Sequence, residues 1–198
     1  WLPWIDAEHG DLRLRDMKTG ETRSLTNDRS GWVYAAGSAL LSPDNSRVAF
    51  SWAGPSSSAI QVVNADGTGR KTLVPEIGSG ISMGPLGWMP DGKSIVAASV
   101  FMPRQEIKIG IVSAASGETA WHEPLTLIPR PGDGGAIASL SPDGRYLLLS
   151  GSSQIAMRNR DVFVYDLQRR KLSLLVEHPA EDASPAWSPD GDTVYFVS

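Results

Sequence analysis

The sequence predicts an all-β protein built from repeated four-stranded antiparallel sheets. Three observations carry that prediction. A Pro-Asp turn recurs at prolines 43, 90, 142 and 189, spaced 47, 52 and 47 residues apart. An apolar triplet starts five residues after each of these prolines. A second turn, opened by a short polar residue, lies between one Pro-Asp turn and the next. A period of this length is the signature of a solenoid, propeller or array.

The unit is clearest at Ile137 to Leu149, where apolar runs flank Ser141-Pro142-Asp143-Gly144. Proline pre-sets φ for the first central position of a type I turn, aspartate suits the next, and glycine takes the left-handed conformation that closes a bulged hairpin. Leu41-Ser42-Pro43-Asp44-Asn45, Trp88-Met89-Pro90-Asp91-Gly92 and Trp187-Ser188-Pro189-Asp190-Gly191 repeat it. Asn45 stands where the others have glycine, and asparagine is the next most tolerant of that conformation.

Strand A precedes each Pro-Asp turn and is rich in small residues, among them Gly84, Gly87, Ala138, Ala183 and Ala186. Small side chains suit an innermost strand, where sheets converge on an axis. Strand B follows the turn and is apolar on both faces: Val48-Ala49-Phe50, Ile95-Val96-Ala97, Leu147-Leu148-Leu149 and Val194-Tyr195-Phe196. A strand covered on both sides reads this way. Strands C and D flank the second turn, opened by Asp16, Asn64, Ser113 and Asp166, each able to accept a backbone N–H. Strand C alternates more and is expected to be wetter. This gradient from axis to rim is that of a propeller blade. Leu41, Trp88, Leu140 and Trp187, two residues before each proline, are the candidates for packing between blades.

Residues 1–26 are read as strands C and D only, giving sixteen strands over residues 1–198, one propeller domain. They make four blades if the C-terminal A-B pair joins the N-terminal C-D pair. The alternative is an arc of a larger ring. The chain starts at Trp1 and stops inside a strand, so it is expected to be a piece of a longer protein or a processed one.

Ser-Pro-Asp-Gly with its apolar triplet, then a strand ending in Asp, a Gly turn and Leu25-Thr26, resembles the Pro-Asp, WD-like propeller repeat. That repeat occurs in the periplasmic TolB family and in the propellers of prolyl-oligopeptidase and tricorn-type peptidases. The likeness covers nearly the whole chain and rests on structural residues. It implies a periplasmic or extracellular scaffold that binds a protein or small ligand. It equally fits an accessory propeller of an oligopeptidase-type hydrolase, or a ligand-sensing ectodomain of a membrane receptor or kinase, its catalytic or signalling domain lying elsewhere.

Nothing in the sequence carries catalysis, so the expectation is no enzyme, no cofactor and no metal site. There is no Gly-x-Ser-x-Gly elbow and no phosphate-cradling Gly-x-x-x-x-Gly-Lys. Pro124 rules out a zinc-binding helix at His122-Glu123. Asn64 to Gly69 mimics half a calcium loop, but the closing acid is Pro75. The absence of cysteine removes disulfides and thiol chemistry. A net charge of −4 argues against a general nucleic-acid binder, and no run of eighteen apolar residues exists to insert in a membrane. Self-association is expected if the ring is incomplete.

Binding is expected on the face carrying the longer B-C and D-A loops. There Arg104, Arg130, Arg158 and Arg160 supply charge, and Trp32, Tyr34 and Phe101 supply aromatic surface. Arginine pairs bidentately with carboxylates and stacks on aromatic rings.

Overall fold

The computed structural model describes residues 1–28, 35–54, 57–104, 106–125, 127–128, 138–153, 160–176 and 178–198. It consists of antiparallel sheets in sequence order. Blade 1 is β1 (Leu2–Ile5), β2 (Leu12–Arg15) and β3 (Thr22–Ser24). Blade 2 is β4 (Ala35–Leu41), β5 (Arg47–Ala53), β6 (Ser58–Asn64) and β7 (Lys71–Val74). Blade 3 is β8 (Ile81–Trp88), β9 (Ser94–Phe101), β10 (Glu106–Ser113) and β11 (Thr119–Trp121). Blade 4 holds β12 (Leu127–Ile128), β13 (Ala138–Leu140), β14 (Tyr146–Ser153), β15 (Asp161–Asp166) and β16 (Lys171–Val176). Blade 5 is β17 (Ala183–Trp187) and β18 (Val194–Val197). One 3-10 turn, Met102–Arg104, is the sole helical element among the described residues.

The Pro-Asp turns form as the sequence dictates. The N–H of Asn45, Gly92, Gly144 and Gly191 each returns to the carbonyl three residues back, at 2.9 to 3.0 Å. All four residues have positive φ, from 59° to 81°. The second turns also form. Where the fourth lacks glycine, Arg170 itself takes φ 54°. Asp166 opens that turn by accepting the Gln168 and Arg169 N–H groups.

Apolar clusters fill the first three gaps between blades. One joins Leu12 and Leu14 to Val48, Phe50 and Val63; the next joins Ala49, Ile60 and Val62 to Met83, Ile95 and Ala97; the third joins Val96, Ala98 and Ile109 to Leu147, Leu149 and Tyr165. The indole of Trp88 donates to the Leu40 carbonyl and that of Trp187 to the Ser139 carbonyl, 2.9 and 3.1 Å. Both tryptophans therefore fasten a blade to the one before it, as their position in the repeat foretells. Innermost strands do need small residues: a Cβ on Gly87 would lie 2.8 Å from Leu140 Cβ.

Three expectations are corrected. Blade 1 has a strand that the sequence reading omits, because β1 contains Pro3. Proline removes a ladder donor, yet an edge strand accommodates it, and Pro3 pairs with Leu14 at the sheet edge. With β1 in the B position, blade 1 already holds B, C and D. It cannot also take the A-B pair of blade 5, so four-blade closure is excluded and the sheets form an open arc. For the same reason β18 is the second strand of a two-stranded sheet, whereas β5, β9 and β14 sit in full ones. Strand C is not the wet one either. Residues 58–63 of β6 are all buried, while β3 is exposed throughout and β16 has no buried residue. An interior strand packed on both faces is dry; the rim strand D meets solvent.

Strand A of blade 4 is split. Ile128 pairs with Ser152 and Ala138 with Leu149, so ten steps of chain span three rungs of β14 and seven residues are extra.

Candidate functional site

Of the residues expected to bind, Trp32, Tyr34, Arg130 and Arg158 lie outside the described residues. Phe101, Arg104 and Arg160 lie within them. Phe101 ends β9 and Arg104 ends the 3-10 turn that follows, its guanidinium 5.8 Å from the Phe101 ring centroid. The turn is seated by Gly80 in the incoming D-A loop. Gly80 has φ +80°, and a Cβ there would lie 3.3 Å from Pro103 Cδ. The B-C and D-A loops thus close on each other as the sequence reading places them, on one face.

Phe101 and Arg104 line a cleft of about 250 Å³ with Ile81, Ser99, Glu106 and Lys108. Register explains this set. Phe101 pairs with both Ile81 and Glu106, and Ser99 pairs with Lys108, so alternation puts them on one face of blade 3. Lower on the same face Ile95 and Ala97 pack against blade 2. The core there gives way to polar residues at the loop end. Lys108 lies 3.6 Å from Glu106. Ser99 and Lys108 sit inside strands and so fall outside the loops on which binding was expected, while Glu106, at the end of such a loop, was passed over because only basic and aromatic residues were singled out there. Their polar type on a strand otherwise apolar was the available signal.

Arg160 stands apart from this cleft. Its Nε donates to Glu181 at 2.7 Å and its carbonyl accepts the Asp182 N–H at 2.8 Å, so it joins blades 4 and 5. The structure does not bring Arg104 and Arg160 together.

A larger groove, about 480 Å³, opens on the opposite face between the Pro-Asp turns of blades 2 and 3, lined by Asp44, Arg47, Asp91, Lys93 and Ser113 among others. Size alone does not make it the binding site, because its charged groups serve the turns. Arg47 donates to the Gly92 carbonyl at 2.7 Å and lies over the Trp88 ring. The Ser42 hydroxyl, then the Ser46 N–H and hydroxyl, hold the Asp44 carboxyl down to about 2. The same serine and backbone donors lower Asp143 and Asp190. The repeating carboxylates are turn residues on separate blades.

His122 is a buried titratable group outside both clefts. Its Nδ1 lies 2.9 Å from the Tyr165 hydroxyl, bridging blades 3 and 4. Burial, and then the positive charge of Arg170, push its pKa down. Asn64 to Gly69 forms a plain hairpin turn in which Asp66 accepts from Thr68.

No family description and no curated protein matches this chain. Solved structures do. TolB from Acinetobacter baumannii superposes with a TM-score of 0.67 at 19% identity, over 97% of this chain and 44% of that one. The fold is a TolB-like β-propeller. This propeller is also similar to an oligogalacturonate lyase from Vibrio parahaemolyticus, TM-score 0.69 at 21% identity over 95% of this chain and 51% of that one. The tricorn protease matches at TM-score 0.61 and 16% identity, over 96% of this chain and 17% of that one. The chain thus spans about half of the lyase and of TolB. These neighbours include an enzyme and a TolB on one propeller fold, so chemistry is decided by the site.

Proposed function

We propose that this propeller is a non-catalytic binding scaffold that engages an anionic protein segment or small anionic ligand on its B-C/D-A loop face, in a periplasmic or extracellular setting. The observation that carries the reading is the convergence of Phe101, Arg104 and Lys108 on one cleft of that face. An aromatic floor under a guanidinium, with a second cation beside it, suits a carboxylate-bearing ligand. Glu106 tempers the charge and favours a ligand that displaces it from Lys108.

Two anionic probes distinguish the ligand classes: a glutamate-rich peptide and an oligogalacturonate. Each is titrated by calorimetry against wild type and the Arg104→Ala/Lys108→Ala double variant, at low and high salt. The expected result is salt-sensitive binding of one probe that the double variant loses. Equal affinity and equal salt slope in both proteins would remove the cleft from consideration. The lyase neighbour makes the second reading an enzyme. Formation of an unsaturated product from the oligogalacturonate, read by ultraviolet absorbance, would favour it over the scaffold.

A further inference from the structure

The gap between blades 4 and 5 is built differently from the others. Asp182, just before β17, is 0% exposed, and neither carboxylate oxygen meets a hydrogen-bond partner among the described residues. The hydroxyls of Ser150 and of Ser152, the latter 3% exposed, are likewise buried and unpaired there. A buried polar group normally has a partner, and a buried carboxylate needs one more than any hydroxyl does.

These three side chains share one end of one gap. Leu147 and Leu149 of β14 pack toward blade 3. Alternation therefore turns Tyr146, Leu148, Ser150 and Ser152 toward blade 5. The Tyr146 ring lies 6.4 Å from that of Trp187 and fixes this face. From that contact β14 runs toward the loop face, reaching Ser152 six residues on. Strand β17 runs the opposite way, and Asp182 lies five residues before Trp187, with one residue bulged between Ala183 and Ala186. The Asp182 N–H donates to the Arg160 carbonyl, and Arg160 precedes Asp161, the partner of Gly151, so Asp182 lies at the end of β14 that holds Ser152.

The repeat shows what belongs in this slot. Met83 stands five residues before Trp88, as Asp182 does before Trp187. The Met83 N–H is bonded to Ser58 of the preceding strand C, and the Asp182 N–H to Arg160 at the corresponding rung. Met83 is 2% exposed and packs in the apolar cluster with Ile60, Val74 and Ile95. Blade 5 puts a carboxylate where blade 3 puts a methionine. Facing it, Ser150 and Ser152 take the places of Ser51 and Ala53. Among the described residues the apolar clusters lie in the first three gaps.

We propose that Asp182, Ser150 and Ser152 form a site for a hard, oxygen-seeking cation between the last two blades. The donor set is all oxygen, with no imidazole or sulfur among these residues, which suits sodium, magnesium or calcium over a transition metal. The ion supplies the compensation that the carboxylate lacks and ties blade 5 to blade 4, where the methionine contact does so elsewhere.

The test is thermal unfolding of chelator-treated protein titrated separately with NaCl, MgCl2 and CaCl2, ionic strength being balanced with tetramethylammonium chloride. One of the three ions is expected to raise the melting temperature saturably, by about 5 °C at roughly a hundredfold excess over its Kd. Asp182→Asn should abolish that rise and melt no lower than the cation-free wild type, since it removes an uncompensated buried charge. Ser152→Ala, which leaves the carboxylate in place, should shift the titration midpoint to higher cation. No rise beyond the tetramethylammonium control in wild type, or an equal rise in Asp182→Asn, overturns the proposal and leaves the slot to water.

Discussion

Replacing Gly144 by alanine measures directly how the turns of neighbouring blades bear on one another. Gly144 closes its turn at φ +74°, and a Cβ there would lie 2.6 Å from Pro90 Cδ and 3.1 Å from Met89 Cε, both in the Pro-Asp turn of the preceding blade. The methionine end can swing aside, but the proline ring cannot. Two costs therefore combine. A left-handed alanine costs about 1–2 kcal/mol. Overpacking against a rigid neighbour adds about 1–3 kcal/mol. Gly92 supplies the control. It closes the equivalent turn at φ +66°, and a Cβ there meets nothing within 4 Å. Gly92→Ala should lose the conformational part alone, partly offset by a stiffer unfolded chain. For a chain of this size 1 kcal/mol is about 2–4 °C, so Gly144→Ala should melt lower than Gly92→Ala by about 2–12 °C. Thermal and urea unfolding of both variants, followed by circular dichroism, give the comparison. Equal losses would mean that the turns do not support each other across blades.

Arg170→Gly restores the glycine that the fourth second turn lacks; relief of a left-handed arginine, less the entropy of a freer unfolded chain, should stabilise by about 0.5–1 kcal/mol in urea titration. Acid should unfold the protein through its turns. Asp44 is depressed from 3.8 to about 2 in the fold, so its contribution is full above the unfolded value and is lost as pH falls through the folded one. Asp44→Asn should flatten stability against pH in that window. His122 is depressed from 6.5 by burial, so the fold loses stability as pH falls below that value. Melts between about pH 7 and 5 should show a loss that His122→Gln removes. Tyr195 and Val197 on β18 are 60% and 64% exposed. Val197→Lys should reduce any concentration-dependent association measured by sedimentation, because charge blunts an open strand edge.

The turns and strands were legible because they rest on local chemistry. Strand B was expected at the apolar triplets that begin at Val48, Ile95, Leu147 and Val194, and β5, β9, β14 and β18 contain them. Pro43, Pro90, Pro142 and Pro189 set those starts with no help from tertiary contacts. The strand β1 was not legible by periodicity, since four residues holding a proline carry little pattern. Its turn was readable, however: Asp6 to Gly10 repeats Asp16 to Gly20, with the Gly10 N–H on the Asp6 carbonyl and the Glu8 N–H on the Asp6 carboxylate. The cleft at Phe101 and Arg104 was half legible. Loop residues drew attention by position, while Lys108 needed the register of β9 on β10 to reach it. Asp182 could not be read at all as unpaired, because the sequence shows a carboxylate and not what surrounds it.

The open arc, in which blades 1 and 5 do not share a sheet, is tested most directly by residue-resolved hydrogen exchange on this 198-residue chain. Strands β5 and β9 are paired along both edges, so their amides should exchange slowly, and so should those of β14 outside the break at Ser150 and Gly151. Among the described residues, strand β18 pairs with β17 alone. Its amides directed at β17 should be protected, and the alternate ones directed away should exchange at near-unfolded rates. Uniform protection along Val194 to Val197 at low protein concentration would show a strand bonded on both edges, and would contradict the open arc.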